Sequence, residues 1–297
     1  MRTRLQNALR NAAPTMLAFF FLSICKPAAS QKIIPPPFVL KEWQQSYQPF
    51  CLVGNLYYVG TYDLACFLIT TSKGHILINT GLAESVGDIK KNVELLGFNF
   101  SDIKILLATH AHFDHVAGMA EIKEMTRAQM MINARDAVAL SDGGNSDFVF
   151  GGKGSTFKPI LPDRLLHNDD TIILDNMKIV VLDHPGHTQG ANSFLFDVRD
   201  MDTTYRVLIA NMPTMQPQTD LAGMPGYPDI GKDYRFTFQA LKKLDFDIWF
   251  SSHATQFGLH RKHKPGDAYN PGVFADRAGF DDTLNKLEAL FLQRLNR

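Results

Sequence analysis

Apolar and polar positions along this chain fall into short strand-like runs and longer helix-like stripes. Residues 56–60, 66–70 and 75–79 are rich in β-branched and aromatic side chains, with Gly or Asp between the runs. That pattern predicts an antiparallel meander. Between residues 84 and 96, Val86, Ile89, Val93 and Leu96 recur at helical spacing on one stripe, so a helix is expected there. Residues 103–108 form an apolar run, as a buried strand would. The second half repeats the logic. Strands are expected over 171–174, 177–182, 193–198, 205–210 and 247–251, with a helix over 233–244 and an amphipathic closing helix over 281–295. Strands in both halves with helices between them predict an α/β fold of two sheets packed face to face and covered by helices. The stretch Ile34-Pro-Pro-Pro-Phe38 reads as a lead-in arm.

The first thirty residues follow a different pattern. Arg2, Arg4 and Arg10 precede a short apolar run over 16–24, and Pro27-Ala-Ala-Ser30 follows it. A basic start, a short apolar stretch and small residues together predict a signal peptide over 1–30 and a single catalytic domain over 31–297. The apolar run is about half of what spanning a bilayer needs. The expected location is the periplasm, with no stable membrane association after cleavage. Ile24 before Cys25 is too bulky for a lipoprotein signal. Lys plus Arg equals Asp plus Glu, 30 of each, so the chain lacks the basic footprint of a nucleic-acid binder. Cleavage removes four basic residues and leaves a mildly acidic protein of about −4. Three cysteines, Cys25, Cys51 and Cys66, are too few for a disulfide framework.

The chemistry concentrates in His110-Ala-His-Phe-Asp-His115. Zinc favours imidazole and carboxylate ligands and, at a catalytic site, an open position. Six residues cannot wrap four side chains around one small ion without strain. They can present His110 and His112 to one metal and Asp114 and His115 to a second, at the roughly 3.5–4 Å separation of two-metal sites. His187 and His253, each expected after a strand, are the donors that would complete the two sets. His184, three residues earlier, competes with His187 for that role, and His260 is a candidate support for a metal-bound ring. His75, His167 and His263 are read as ordinary side chains.

The segment 106–118, with His187 in His-Pro-Gly-His-Thr188 and His253 in Ser-Ser-His-Ala254, resembles the signature of the metallo-β-lactamase superfamily. The resemblance implies a four-layer αβ/βα sandwich. Many members carry a bridging Asp at the end of the strand after the third His. Here that strand runs into Ala210-Asn-Met-Pro213, with neither an acid nor a later Cys, which resembles subclass B3 and its GOB-type branch. The resemblance implies two zinc ions per chain, one on His110, His112 and His187, the other on Asp114, His115 and His253. It also implies a catalytic Asp114 that orients the attacking hydroxide. The expected activity is hydrolysis of penicillins, cephalosporins and carbapenems, by a monomer whose partner is the small β-lactam substrate. Thr214 and Tyr227 are the expected substrate contacts. Met212 stands where relatives carry a substrate-holding Ser, and its expected role is packing. Asn79 stands where many relatives have an Asp supporting the first metal's ligands. An exported lactonase or thioester hydrolase on the same metal core is the alternative, and a non-catalytic zinc module is the third reading.

Overall fold

Two sheets form the centre of the protein. The computed structural model describes residues 32–296, so the expected signal segment lies outside the described residues. The first sheet has seven strands in chain order: β1 (Phe50–Val53), β2 (Leu56–Tyr58), β3 (Phe67–Thr71), β4 (Gly74–Ile78), β5 (Ile103–Leu107), β6 (Gln129–Asn133) and β7 (Arg164–Leu166). The meander expected from the sequence is β2 to β4, with β1 paired antiparallel to β2. From β4 to β7 the pairing is parallel. The second sheet holds β8 (Thr171–Leu174), β9 (Met177–Asp183), β10 (Asn192–Asp200), β11 (Thr203–Ala210) and β12 (Ile248–Ser251) in the order β12-β11-β10-β9-β8. Its pairs are antiparallel except β11 with β12.

Strand periodicity explains how the layers hold together. In β4 all five residues are buried. Ile76 and Ile78 enter the core between the sheets, whereas Leu77 enters the core beneath the helices of the first half. Ile105 and Leu107 of β5 face the inter-sheet core and Leu106 the other side, which is why this run carries almost no polar residues. Each such side chain contributes roughly 1.5–3 kcal/mol by burial. The helices are α1 (Lys41–Gln44), α2 (Val86–Leu95), α3 (Phe113–Val116), α4 (Met119–Thr126), α5 (Ala137–Ser141), α6 (Ile230–Lys242), α7 (Leu259–Lys262) and α8 (Arg277–Leu295). α6 buries Ile230, Tyr234, Phe238 and Leu241, a stripe at helical spacing. The closing helix starts at Arg277, four residues before its expected start, because the Asp276 side chain caps it by accepting from Gly279 N at 2.8 Å.

Cys51 and Cys66 are both free thiols. Cys51 lies on β1, and Cys66 immediately precedes β3, with β2 between them. Two strand spacings give about 10 Å, beyond the reach of a disulfide. Among the described residues no helix is long and apolar enough to cross a membrane.

Candidate metal centre

The His cluster sits where β5 ends: the chain turns at Thr109 and enters the single turn of α3, which carries Asp114 and His115. His187 follows β9 and His253 follows β12, so all the ligand-bearing segments leave the same end of the two sheets. The expected residues come together. His110, His112 and His187 each offer a ring nitrogen within 4.8 Å of the others, and so do the donors of His110, Asp114 and His115. His253 Nε2 lies 3.5 Å from Asp114 Oδ2, and its ring is 4.9 Å from that of His115. All six side chains are buried except His253, which is partly exposed.

The outer nitrogens are already engaged, which fixes the ones left for a metal. His187 Nδ1 donates to Thr214 O at 2.8 Å, and His253 Nδ1 donates to Asp63 Oδ2 at 3.0 Å. His112 Nε2 faces Asp147 Oδ2 at 3.1 Å. His110 Nδ1 has Thr109 Oγ1 at 3.3 Å and Asn211 Nδ2 at 3.1 Å. His110 Nε2, both ring nitrogens of His115 and, although it faces Asp147, His112 Nε2 are buried without a well-formed hydrogen bond among the described residues. Orphaned buried nitrogens are costly unless something binds them, and a metal ion is what this donor set suits.

For His110 and His187 the electrostatics point the same way, whereas His112 and His253, each beside carboxylates, are drawn toward the charged form whose proton a metal would displace. Burial, and then the neighbouring His115 and His187, hold the His110 imidazole well below its usual range. Burial brings His187 down to about 3. Both rings are therefore neutral, the state that ligates. Burial also opposes charge on His253, but Asp114 and Asp63 outweigh it and push that imidazole up to about 9. Asp114 is held well below the carboxylate range because His115 and His253 outweigh its burial.

His184, the competitor for the third ligand, does not join the cluster: its Nδ1 pairs with Ser193 Oγ at 2.6 Å. His260 supports no ligand ring. It stacks on Tyr62 at 3.7 Å and donates to Tyr62 O at 2.8 Å. Asn79 acts one residue further out than expected. Its Oδ1 accepts from Thr109 N and Thr109 Oγ1 rather than from an imidazole. Its φ of +61° is a left-handed conformation that Asn tolerates better than most residues. Met212 is buried and packs in the core between the sheets. Thr214 Oγ1 lies 3.1 Å from His187 Nδ1. Tyr227 is only 2% exposed, and its hydroxyl donates to Asp233 Oδ2 at 2.7 Å.

Three carboxylates that the sequence did not single out build the surroundings. Asp63 holds His253 and also accepts from Trp43 Nε1 at 3.2 Å and Thr255 N at 3.0 Å. Asp147 faces His112 and is itself fixed by Val149 N and Phe150 N. Asp136 accepts from Ala111 N at 2.9 Å, Thr188 Oγ1 at 2.7 Å and Gly190 N at 2.7 Å. It thereby fastens the first ligand loop to the loop of His187.

Residues 61–201 match the family described as the metallo-beta-lactamase superfamily. A solved β-lactamase from Chitinophaga pinensis is 58% identical, with a TM-score of 0.88, and the match covers 89% of this chain and all of that one. The class B3 di-zinc metallo-β-lactamase LRA-12 from an Alaskan soil metagenome is 54% identical at a TM-score of 0.87, over 88% of this chain and 100% of that one. GOB-18 from Elizabethkingia meningoseptica is 49% identical at a TM-score of 0.88, over 90% of this chain and 99% of that one. Curated relatives match shorter stretches. An acyl-coenzyme A thioesterase of Gallus gallus is 29% identical over 29% of this chain and 35% of its own length.

Proposed function

The chain belongs to the metallo-β-lactamase superfamily, and on that footing we propose that it is a di-zinc β-lactamase of subclass B3 that opens penicillins, cephalosporins and carbapenems. Asn211 carries the choice within the superfamily. It directly follows β11, where a bridging carboxylate would stand, and its amide donates to Thr109 O beside His110 Nδ1. A metal pair here would have only the six side chains described above to hold it.

His110, His112 and His187 would hold one zinc, and Asp114, His115 and His253 would hold the other. When bound, the two ions supply Lewis-acid polarisation of the lactam carbonyl and lower the pKa of water. Asp114 accepts a hydrogen bond from the attacking water and so aims it at the carbonyl carbon. The surrounding carboxylate Asp63 locks His253 in the tautomer that ligates, and Asp147 faces His112 Nε2 at 3.1 Å. Thr214 and Tyr227 are the substrate contacts this reading implies. The Tyr227 hydroxyl can reach a bound lactam only by leaving Asp233. Export through residues 1–30 would place the monomeric enzyme in the periplasm, where hydrolysis protects the cell against β-lactam antibiotics.

The test is ring opening of a penicillin and a carbapenem by purified protein with zinc, with a chelator, and with zinc restored. Turnover that the chelator abolishes and zinc restores is expected. Thioester or lactone turnover with no β-lactam turnover would replace this reading by the alternative.

A further inference from the structure

The side chains expected to hold the substrate's carboxylate are committed elsewhere. Met212 has no donor and is buried, the Tyr227 hydroxyl is bound to Asp233, and Thr214 is turned toward His187. Beside the metal centre lies a cleft of about 620 Å³, a volume suited to a drug-sized ligand. Its wall includes Phe38, Val149, Phe150 and Gln216, and the Phe150 ring stands 5.0 Å from that of His112. No acid lines this cleft, and one cation does: Lys153.

The other cations near these loops are occupied. Lys158 pairs with Glu124 and Arg135 with Asp233, while Arg294 donates to the carbonyls of Gln216, Pro217 and Thr219. Lys153 is exposed and has no ion pair among the described residues. It lies between Gly152 and Gly154, both at positive φ, and a side chain added at Gly152 would meet nothing within 4 Å. The exposed Lys153 stem is therefore the charged group this cleft offers an anion.

The geometry points to Lys153 as the residue that binds the carboxylate of the β-lactam, in place of the hydroxyl donors that are committed elsewhere. The assignment rests on the β-lactamase reading above. An ammonium is a point charge on a flexible stem, so it adds affinity and steering and leaves the bond-breaking step alone. The experiment compares benzylpenicillin with its methyl ester, which has no carboxylate charge, on wild type, Lys153→Met and Lys153→Arg. For the free acid, Lys153→Met should raise KM about three- to tenfold, the range of a partly exposed charged contact, with kcat within about twofold. The ester's KM should not change, and Lys153→Arg should restore the acid's KM. Rising ionic strength should raise the wild-type KM for the acid and leave Lys153→Met flat. An unchanged KM in Lys153→Met, or an equal rise for acid and ester, overturns the assignment. If wild type turns over neither compound, the β-lactamase reading itself fails and takes this assignment with it.

Discussion

Asp63→Asn isolates the support of the second metal without touching any ligand. In the native protein Oδ2 accepts from His253 Nδ1 at 3.0 Å and from Trp43 Nε1 at 3.2 Å, and Oδ1 accepts from Thr255 N at 3.0 Å. An amide has one acceptor oxygen for these three donors. Its better orientation keeps that oxygen on His253 and Trp43 and turns its NH2 against Thr255 N–H. One buried donor is then left unpaired, at about 1–3 kcal/mol. The bond to His253 also loses its charge assistance, roughly half its strength. Carboxylates behind metal-bound imidazoles typically account for about 10- to 100-fold in affinity, which is about 1.4–2.7 kcal/mol. The assay is a titration of metal-free protein with zinc in competition with a chromophoric chelator. One site should keep its wild-type affinity and the other should weaken within that range. Turnover should follow occupancy of the weakened site and recover in excess zinc. Two sites of unchanged affinity in Asp63→Asn would refute the role given to Asp63 and the placing of His253 in the second set.

Asp114→Asn should leave a folded protein with about one tightly bound zinc and kcat lowered about a hundredfold or more, read by metal analysis and steady-state kinetics. His187→Ala should weaken the first metal and remove most turnover. His184→Ala, whose ring bonds Ser193 outside the cluster, should retain two metals. Arg294→Ala frees three carbonyls of the segment from 216 to 219 beside the cleft. It should raise KM severalfold and lower stability by about 1.5–3 kcal/mol, measured by kinetics and urea denaturation.

The layers and the donor cluster from His110 to His115 were legible in the sequence for one reason: both rest on patterns within a short window, whereas His187 and His253 are remote. The strands β2 to β5 and β8 to β12 announce themselves by β-branched runs, and His110 to His115 by ligand density. β6 escaped because Gln129, Met130, Met131 and Asn133 surround a single β-branched residue, Ile132, and β7 because it has only three residues. Their pairing is decided by the parallel neighbours that flank them. The supporting acids escaped because their partners are remote. Asp63 sits between Tyr62 and Leu64 as an ordinary turn residue would, and meets His253 only across 190 residues. Asp136 joins loops 25 and 52 residues away. Asn79 was read one bond too close to the metal, because the sequence does not show that Thr109 stands between it and His110.

The way Asp136 ties the first ligand loop to the loop of His187 bears on the order in which the protein matures. As the chain emerges or refolds, residues 110–115 become available early, yet their hold on one another depends on Thr188 and Gly190 docking from the second half. His253 arrives later still, once β12 has paired with β11. Contacts of such high sequence separation form slowly, so a nascent chain offers an ion a handful of loosely spaced imidazoles and no cavity. Zinc would then load into a finished scaffold rather than template it. The refolding rate should be nearly indifferent to zinc, whereas the unfolding rate should fall steeply once both ions are bound.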